Sequence, residues 1–261
     1  MSKVKVAFFD FTSCEGCQIE LTNLGEEVFM GLLDHVEFVE FREAMSERAE
    51  SIDIAFIEGS YSREADRARL EDIRRRSAVV VAYGSCAAIG GINALKNHPP
   101  DYAEFVYGKC ANMAHLASEQ VKPISEVITV DYKIYGCPVS KAEFVRVVSD
   151  LLHGYKPFIP NYAVCVECKM RETVCRYAYG DHCLGPVSRA GCGAPCPADG
   201  VPCEACRGFV DHPNLASLEK GLRLKGGLSP ERAATKTRMW TSIWHPNADA
   251  ASGTPPKRSE A

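Results

Sequence analysis

The sequence predicts an α/β fold that is followed by an irregular, cysteine-rich module. Up to about residue 155, strand-like apolar runs alternate with helical stretches, a pattern typical of a parallel sheet covered on both faces by helices. Beyond that point the alternation is lost, and eight of the chain's 13 cysteines fall within residues 165–206. The 261-residue chain is therefore expected to contain one sizeable core and one smaller appended unit.

Five strands are predicted in the first part of the chain, each a short run rich in β-branched and aromatic side chains. They lie at residues 3–9, 35–41, 52–58, 78–83 and 126–130. Helices are predicted where apolar residues recur at three- and four-residue spacing, at residues 18–33, 63–76 and 141–153. Because the two kinds of element alternate along the chain, a flavodoxin-like parallel sheet is the favoured topology.

The chain divides into three predicted segments. Residues 1–155 form the flavodoxin-like domain, which ends at the two prolines of KPFIPNY. Residues 156–243 form the cysteine-rich module, with short helices at 215–223 and 230–243. Because this module has little apolar material, we expect ligand–metal bonds to supply much of its folding free energy. Residues 244–261 are small, polar and proline-containing, and we predict that they are disordered.

The composition argues against several classes of protein. A net charge of −4 provides no basic surface of the kind that nucleic-acid binding requires. No stretch approaches the roughly 18 to 20 apolar residues of a membrane span, and the N-terminus enters the first strand without an export signal. We therefore expect a cytoplasmic protein. Because thiols stay reduced in that compartment, the cysteines are predicted to be metal ligands rather than disulfides.

Four cysteines of the first part follow the ends of predicted strands. We call them the first set: Cys14, Cys17, Cys86 and Cys137. Loops that follow the carboxyl ends of parallel strands meet at one edge of the sheet, where ligands bind. Gly16, Gly84 and Gly136 let the backbone pass close to a cluster, and Cys17 is predicted to open a helix whose N-terminus stabilises a thiolate. Four thiolates can hold one [4Fe–4S] cluster, and structural zinc is the alternative.

The cysteine-rich module supplies two further sets of four, each with a CxxC pair at one end. The second set is Cys165, Cys168, Cys175 and Cys183, and the third set is Cys192, Cys196, Cys203 and Cys206. Each can hold one [4Fe–4S] cluster, with zinc again the alternative. Consecutive ligation is favoured, although the Cys196-Pro197 pair leaves an interleaved, ferredoxin-like arrangement open. His182 is predicted to lie near a cluster or at the surface without ligating, and Cys110 to be a non-ligating thiol.

These motifs resemble those of a known family, the small, electron-transfer subunit of [NiFe] hydrogenases. The resemblance covers nearly the whole ordered chain and is carried by DFTSCEGCQIEL, IEGSYS, VVAYGSCAAIGG, YGCPVSK, CVECK, CLGPVSRAGCGAPCP and CEACRG. The sequence is particularly similar to the delta subunit of cytoplasmic sulfhydrogenases, which are soluble enzymes that couple hydrogen to nicotinamide cofactors. Related small subunits occur in deazaflavin-linked and heterodisulfide-reductase-linked hydrogenases.

By this resemblance the first set binds the proximal cluster, next to the nickel–iron site of a large subunit that is a separate chain. The third set would bind the medial cluster and the second set the distal cluster. Cys165 stands where many relatives have histidine, and Cys196 completes the medial four, so three [4Fe–4S] clusters are implied. Electrons would then reach a flavin- and iron–sulfur-containing diaphorase-type subunit or another acceptor. The implied enzyme is an NAD(P)-linked hydrogenase, in which this chain performs no bond chemistry itself.

Three acidic residues near the first set have candidate roles. Glu58, with Gly59, matches an acidic-glycine segment of the family. It is expected to position the cluster loop, to bond to the large subunit, or to be an ordinary strand-end carboxylate. Glu15 and Glu20 could assist proton movement but are more simply interpreted as charges that complement a helix N-terminus. Two other classes remain as alternatives: a quinone-reductase-type subunit of respiratory complexes, which resembles only the first part, and a zinc-stabilised structural protein.

Overall fold

The computed structural model describes residues 3–98, 102–108 and 117–243, and its first part is built around a parallel sheet. The strands are β1 (Val4–Asp10), β2 (Val36–Phe41), β3 (Ile52–Glu58), β4 (Tyr61–Arg63), β5 (Ser77–Tyr83), β6 (Ser118–Lys122) and β7 (Tyr132–Ile134). Five of them form the parallel sheet in the order β2-β1-β3-β5-β7, while β4 and β6 form a separate antiparallel pair. The predicted flavodoxin-like topology is confirmed.

The helices of the first part largely follow the prediction. They are α1 (Gly16–Thr22), α2 (Glu26–His35), α3 (Ala65–Arg76), α4 (Ser85–Ile89), α5 (Tyr102–Tyr107) and α6 (Lys141–Leu152). The prediction of a single helix over residues 18–33 is wrong, because the chain forms two helices there, α1 and α2. Gly25 lies between them with φ of 91°, a backbone conformation that a right-handed helix cannot contain.

The fifth strand of the sheet is also displaced from its predicted position. Residues 126–130 were expected to form it, but the strand that pairs with β5 is β7, which begins at Tyr132. Ile128 and Val130 are buried in the core next to the sheet, so the apolar run reflects burial rather than strand pairing. The Asp131 carboxylate accepts the Val80 amide at 2.7 Å, and regular pairing with β5 starts only after it.

The apolar side chains of the sheet pack into two layers, one on each face. Along β1, Ala7 and Phe9 belong to one layer, and Val6 and Phe8 belong to the other. This alternation follows from the two-residue repeat of a strand. Each layer is covered by helices, as expected for a parallel sheet.

The cysteine-rich part contains little regular structure. Its helices are α7 (Val164–Met170), α8 (Pro195–Ala198), α9 (Leu215–Leu224) and α10 (Pro230–Arg238). The last ends five residues before the predicted end at 243. Isolated bridges join Ala163 to Arg189 and Ser188 to Phe209. The domain boundary at 155 stays a prediction, and the predicted disordered tail and Cys110 lie outside the described residues. Within those residues, no helix is long and apolar enough to cross a bilayer.

Candidate metal centres

The first set lies at one edge of the parallel sheet. The last residues of four neighbouring strands are level there, because Asp10 pairs with Glu58, Glu58 with Tyr83, and Tyr83 with Ile134. Three of these strands, β1, β5 and β7, lead directly into the loops and helices that carry the four cysteines. The sequence prediction that they meet beyond the carboxyl ends of the strands therefore matches the topology.

The thiols of the first set are close enough to influence one another. Burial, followed by the charges of Cys137 and Cys14, raises the pKa of Cys86 to about 12. Burial, followed by the charges of Cys206 and Cys14, raises the pKa of Cys137 to about 11. The pKa of Cys17 is also raised, by burial first and then by Glu58, Cys86 and Cys137. Such a set can hold four thiolates together only around a cationic partner, which a bound metal centre would supply.

Glu58 supports the first set from the end of β3. Its carboxylate accepts the Cys17 amide at 3.2 Å and the Gln18 amide at 3.1 Å, so it caps the start of α1. Burial raises the pKa of Glu58, while these two hydrogen bonds lower it. On the other side of α1, the Tyr83 hydroxyl donates to the Cys17 carbonyl at 3.0 Å. Of the interpretations of Glu58, the geometry favours positioning of the cysteine loop.

We expect Glu58→Ala to destabilise the first set, because two buried amides would lose their acceptor at roughly 1–3 kcal/mol each. The measurement is the midpoint of thermal inactivation of the assembled complex, together with its iron content after heating. Glu20→Ala is the matched control, since Glu20 lies on the same helix and pairs with exposed Lys141 at 3.4 Å, a contact worth about 0–1 kcal/mol. Equal losses in the two variants would contradict the capping role.

Two members of the second set, Cys165 and Cys168, lie on α7, and Cys175 and Cys183 lie in the irregular segment that follows it. Burial, then the charges of Cys183, Cys168 and Cys175, raises the pKa of Cys165 to about 11, so its neighbours are the other members of its own set. Gly185 lies beside two of them. A Cβ at this position would stand 3.4 Å from the Cys183 sulfur and 3.5 Å from the Cys165 sulfur. The backbone thus passes close to this set, as it does at sites that hold clusters.

A carboxylate that lies between two cysteines of the second set is hydrogen-bonded to the loop of the third set. Glu167, between Cys165 and Cys168, accepts the Gly191 amide at 2.7 Å and the Gly193 amide at 3.0 Å. Cys192, held between these glycines, has its pKa raised to about 11, by burial first. The pKa of Cys206 is raised by burial, and Cys196 contributes to that rise. The charges of other cysteines that raise these two pKa values come mostly from the same consecutive block, residues 192–206.

The third set stands between the other two. Cys206 is an electrostatic neighbour of Cys137 of the first set, and its carbonyl accepts the Ser85 hydroxyl. On the other side, the Cys203 amide donates to the Cys183 sulfur of the second set at 3.4 Å. The twelve cysteines therefore form a continuous series from the sheet edge outward. The second set ends this series although it comes before the third set in sequence.

The donors are of the kind that hold iron–sulfur clusters, since each set consists of four cysteines. Among the residues that the structure describes, no three His, Cys, Asp or Glu side chains converge closely enough to hold one metal ion. In a [4Fe–4S] cluster each thiolate binds a different iron, so the four sulfurs surround a body larger than one ion. The close backbone at Gly84, where a Cβ would stand 2.5 Å from the Cys17 sulfur, is consistent with such a site.

The remaining candidates occupy peripheral positions. Glu15 lies at the start of α1 with φ of 61°, and Glu20 pairs with Lys141. His182 lies 2.8 Å from Glu204, measured from Nε2 to Oε1, and Glu204 also accepts Lys236 at 2.7 Å. Sequence reasoning missed the supporting residues, which are Ser85, Glu143, Glu167 and Arg207. For Glu167 a signal existed, since an acidic residue stands inside all three CxxC pairs of the chain, CEGC, CVEC and CEAC.

Comparison with known proteins assigns the family. A family model described as the 20 kDa subunit of NADH ubiquinone oxidoreductase matches residues 14–151. The delta subunit of sulfhydrogenase 2 from Pyrococcus furiosus is 35% identical over 241 residues, which are 91% of this chain and 99% of that protein. The chain belongs to the family of hydrogenase small subunits. The resemblance seen in the sequence is confirmed, and it extends over most of the length of this small subunit.

Other relatives agree with this assignment. A subunit of the F420-non-reducing hydrogenase of Methanocaldococcus jannaschii is 34% identical over 239 residues, which are 80% of this small subunit and 83% of that protein. A chain of an NAD+-reducing [NiFe]-hydrogenase, solved in the H2-reduced state, superposes with a TM-score of 0.53 and 26% identity. The match covers 61% of this small subunit and 96% of that chain. The actinobacterial-type NiFe-hydrogenase of Ralstonia eutropha, at 15% identity, a TM-score of 0.58 and coverage of 99% and 94%, shares the fold.

Proposed function

We propose that this chain is the electron-transfer subunit of a [NiFe] hydrogenase and binds three [4Fe–4S] clusters. The first, third and second sets would bind the proximal, medial and distal clusters in that order. The observation that supports this most strongly is the continuous series of cysteines, from Cys137 through Cys206 and Cys203 to Cys183. When bound, such clusters accept and donate single electrons.

The first set is the proposed point of contact with the large subunit. Cys14 is exposed, and two large apolar side chains near its cysteines face solvent. These are Ile19 on α1 and Ile92 just after α4, which are 54% and 44% exposed. Exposed apolar surface around a functional site is typical of an interface with another protein. The interface of a permanent complex buries roughly 2,000 Å² or more.

The second set is the proposed point at which electrons leave this chain for the acceptor. Cys175 is exposed, as are Met170 and Tyr179 nearby in sequence, at 78% and 63%. A flavin- and iron–sulfur-containing diaphorase-type subunit is the proposed acceptor in the cytoplasm. The similarity to a chain of an NAD+-reducing [NiFe]-hydrogenase supports it, as does the 28% identity over 172 residues to the delta subunit of the NAD-reducing hydrogenase of Cupriavidus necator. In this proposal the chain's residues bind clusters, hold their spacing and exclude water.

The test is the metal content of the complex that co-purifies with this chain under anaerobic conditions. We expect about twelve iron atoms for this chain, four for each set, with nickel and H2-dependent reduction of a viologen dye present only when the large subunit is bound. A Cys175→Ala variant should lose about four of these iron atoms and keep the nickel.

Two outcomes would contradict the proposal. Zinc in place of iron would indicate a structural protein. Iron without nickel or hydrogen-dependent activity in a complete complex would favour a quinone-reductase-type subunit, the function suggested by the family model that matches residues 14–151.

A further inference from the structure

A buried ion pair joins helix α6 to the third set and has no place in the relay described so far. Arg207 directly follows Cys206, and Glu143 lies on α6. The two residues are only 2% and 3% exposed. The guanidinium is 2.9 Å from one carboxylate oxygen and 2.8 Å from the other. A charge pair this deeply buried is costly to desolvate, and an apolar pair of similar volume often stabilises a fold at least as well.

The guanidinium contacts the backbone beside ligands of two different sets. Its Nε donates to the Ala190 carbonyl at 2.9 Å, two residues before Cys192. One terminal nitrogen donates to the Tyr135 carbonyl, two residues before Cys137. Arg207 therefore holds the loop of the first set against the loop of the third set.

The ion pair also lies directly under the loop that carries Cys192. A Cβ on Gly191 would contact a guanidinium nitrogen of Arg207 and would stand 2.8 Å from Oε1 of Glu143. Only glycine leaves room for the pair at this distance. Arg207 is the next residue after Cys206, and its guanidinium lies against the loop that carries Cys192. This one positive charge therefore lies beside the backbone of two ligands of the third set.

We propose that Arg207, held in place by Glu143, sets the reduction potential of the cluster that the third set binds. This inference rests on the proposed function. Reduction adds one negative charge to a cluster, and a fixed positive charge in a site of low dielectric stabilises that charge. Arg207 thereby raises the potential of this cluster, and Glu143 offsets part of the increase. Charge near a cluster is one of the factors that tune iron–sulfur potentials.

The two members of the pair should therefore shift the potential in opposite directions. The experiment is a potentiometric titration of the assembled complex, followed by electron paramagnetic resonance. The signal of the third-set cluster is assigned from the one that changes in Cys196→Ser. We expect a more negative midpoint potential in Arg207→Gln and a more positive one in Glu143→Gln. In the double variant, which keeps a hydrogen-bonded pair without charge, the decrease should be smaller than in Arg207→Gln.

Asp211→Asn is the matched control. Asp211 pairs at 2.6 Å with Arg189, another buried arginine of the same module, whose guanidinium also donates to Pro160 and Asn161. This variant should leave the potential of the third-set cluster unchanged. If the Arg207–Glu143 pair had only a structural role, both single variants would loosen the site. Their midpoint potentials would then not shift in opposite directions.

Each outcome decides for or against the proposal. Unchanged potentials, or shifts in the same direction in the two single variants, would overturn it. If a single variant does not load its clusters, the double variant decides: a more negative potential supports the proposal and an unchanged one overturns it. If the wild-type complex has no third-set cluster, the proposed function itself is refuted. The iron content of the complex reveals that case independently of the potentials.

Discussion

Replacing Gly84 with alanine is expected to remove the cluster of the first set and to stop electron transfer from the large subunit. Gly84 stands between β5 and α4 with φ of 89°, and a Cβ there would lie 2.5 Å from the Cys17 sulfur. Real Cβ contacts do not come this close, so either the glycine or the cysteine must move. The backbone of Cys17 is held in place, because its amide donates to Glu58 and its carbonyl accepts the Tyr83 hydroxyl.

The expected magnitude follows from the geometry of the site. A cluster needs all four thiolates, and misplacing a functional group by about 1 Å can cost about a hundredfold in rate. We therefore expect Gly84→Ala to lose about four iron atoms per chain and to reduce H2-dependent reduction of the natural acceptor about a hundredfold. The measurements are the iron content and the activity of the anaerobically purified complex.

Gly25→Ala separates backbone strain from contact with the cysteine. Gly25 has φ of 91°, almost the same as Gly84, and a Cβ there would have no atom within 4 Å. Both variants therefore carry similar backbone strain, because both glycines combine a positive φ with an extended ψ, and such conformations cost roughly 1–3 kcal/mol. Only Gly84→Ala should lose iron. If the two variants retain the same iron content, the packing of Cys17 against Gly84 is not what limits cluster binding.

The first set was predictable from the sequence because its position depends on topology rather than on exact strand boundaries. The strand before Cys137 was expected at residues 126–130, whereas β7 runs from Tyr132 to Ile134. The predicted location of Cys137 was unaffected, since any parallel strand before YGCPVS delivers that cysteine to the same edge. The break between α1 and α2 was missed for a different reason. The apolar spacing continues through residues 18–33, and Gly25 interrupts the backbone without interrupting the spacing.

The residues that support the sets were not predictable, because their partners are distant in sequence. Glu143 lies on α6, where helical spacing indicates only that Phe144, Val147 and Val148 are buried. Its burial depends on Arg207, which is 64 residues away. Neither residue lies in a local pattern that distinguishes it from an exposed charge. The same holds for Ser85, whose partner Cys206 is 121 residues away.

Removal of iron is expected to unfold the cysteine-rich part while the parallel sheet stays folded. Apart from one apolar cluster that includes Leu184, Phe209 and Leu222, this part has few other sources of stability. Its helices α7 and α8 have seven and four residues, and helices shorter than about 12–15 residues are marginal on their own. Its strand pairing consists of isolated bridges, and one of its apolar clusters consists largely of the cysteines themselves and their neighbours. By comparison, structural zinc contributes about 10–16 kcal/mol to folding in zinc fingers.

The measurement is hydrogen exchange, followed by mass spectrometry, before and after the complex is treated with an oxidant and a chelator. Amides of residues 164–209 should lose protection once the iron has gone, including those of Leu184 and Arg189, which donate to backbone carbonyls at 2.8 Å and 3.0 Å. Amides of β1, β3 and β5 serve as the internal control and should stay protected, because these strands lie between two apolar layers. If residues 164–209 remain as protected as β3 without iron, their own packing, including the buried Arg189 and Arg207, is sufficient to fold them. The metal would then serve electron transfer in that part of the chain without being the main source of its stability.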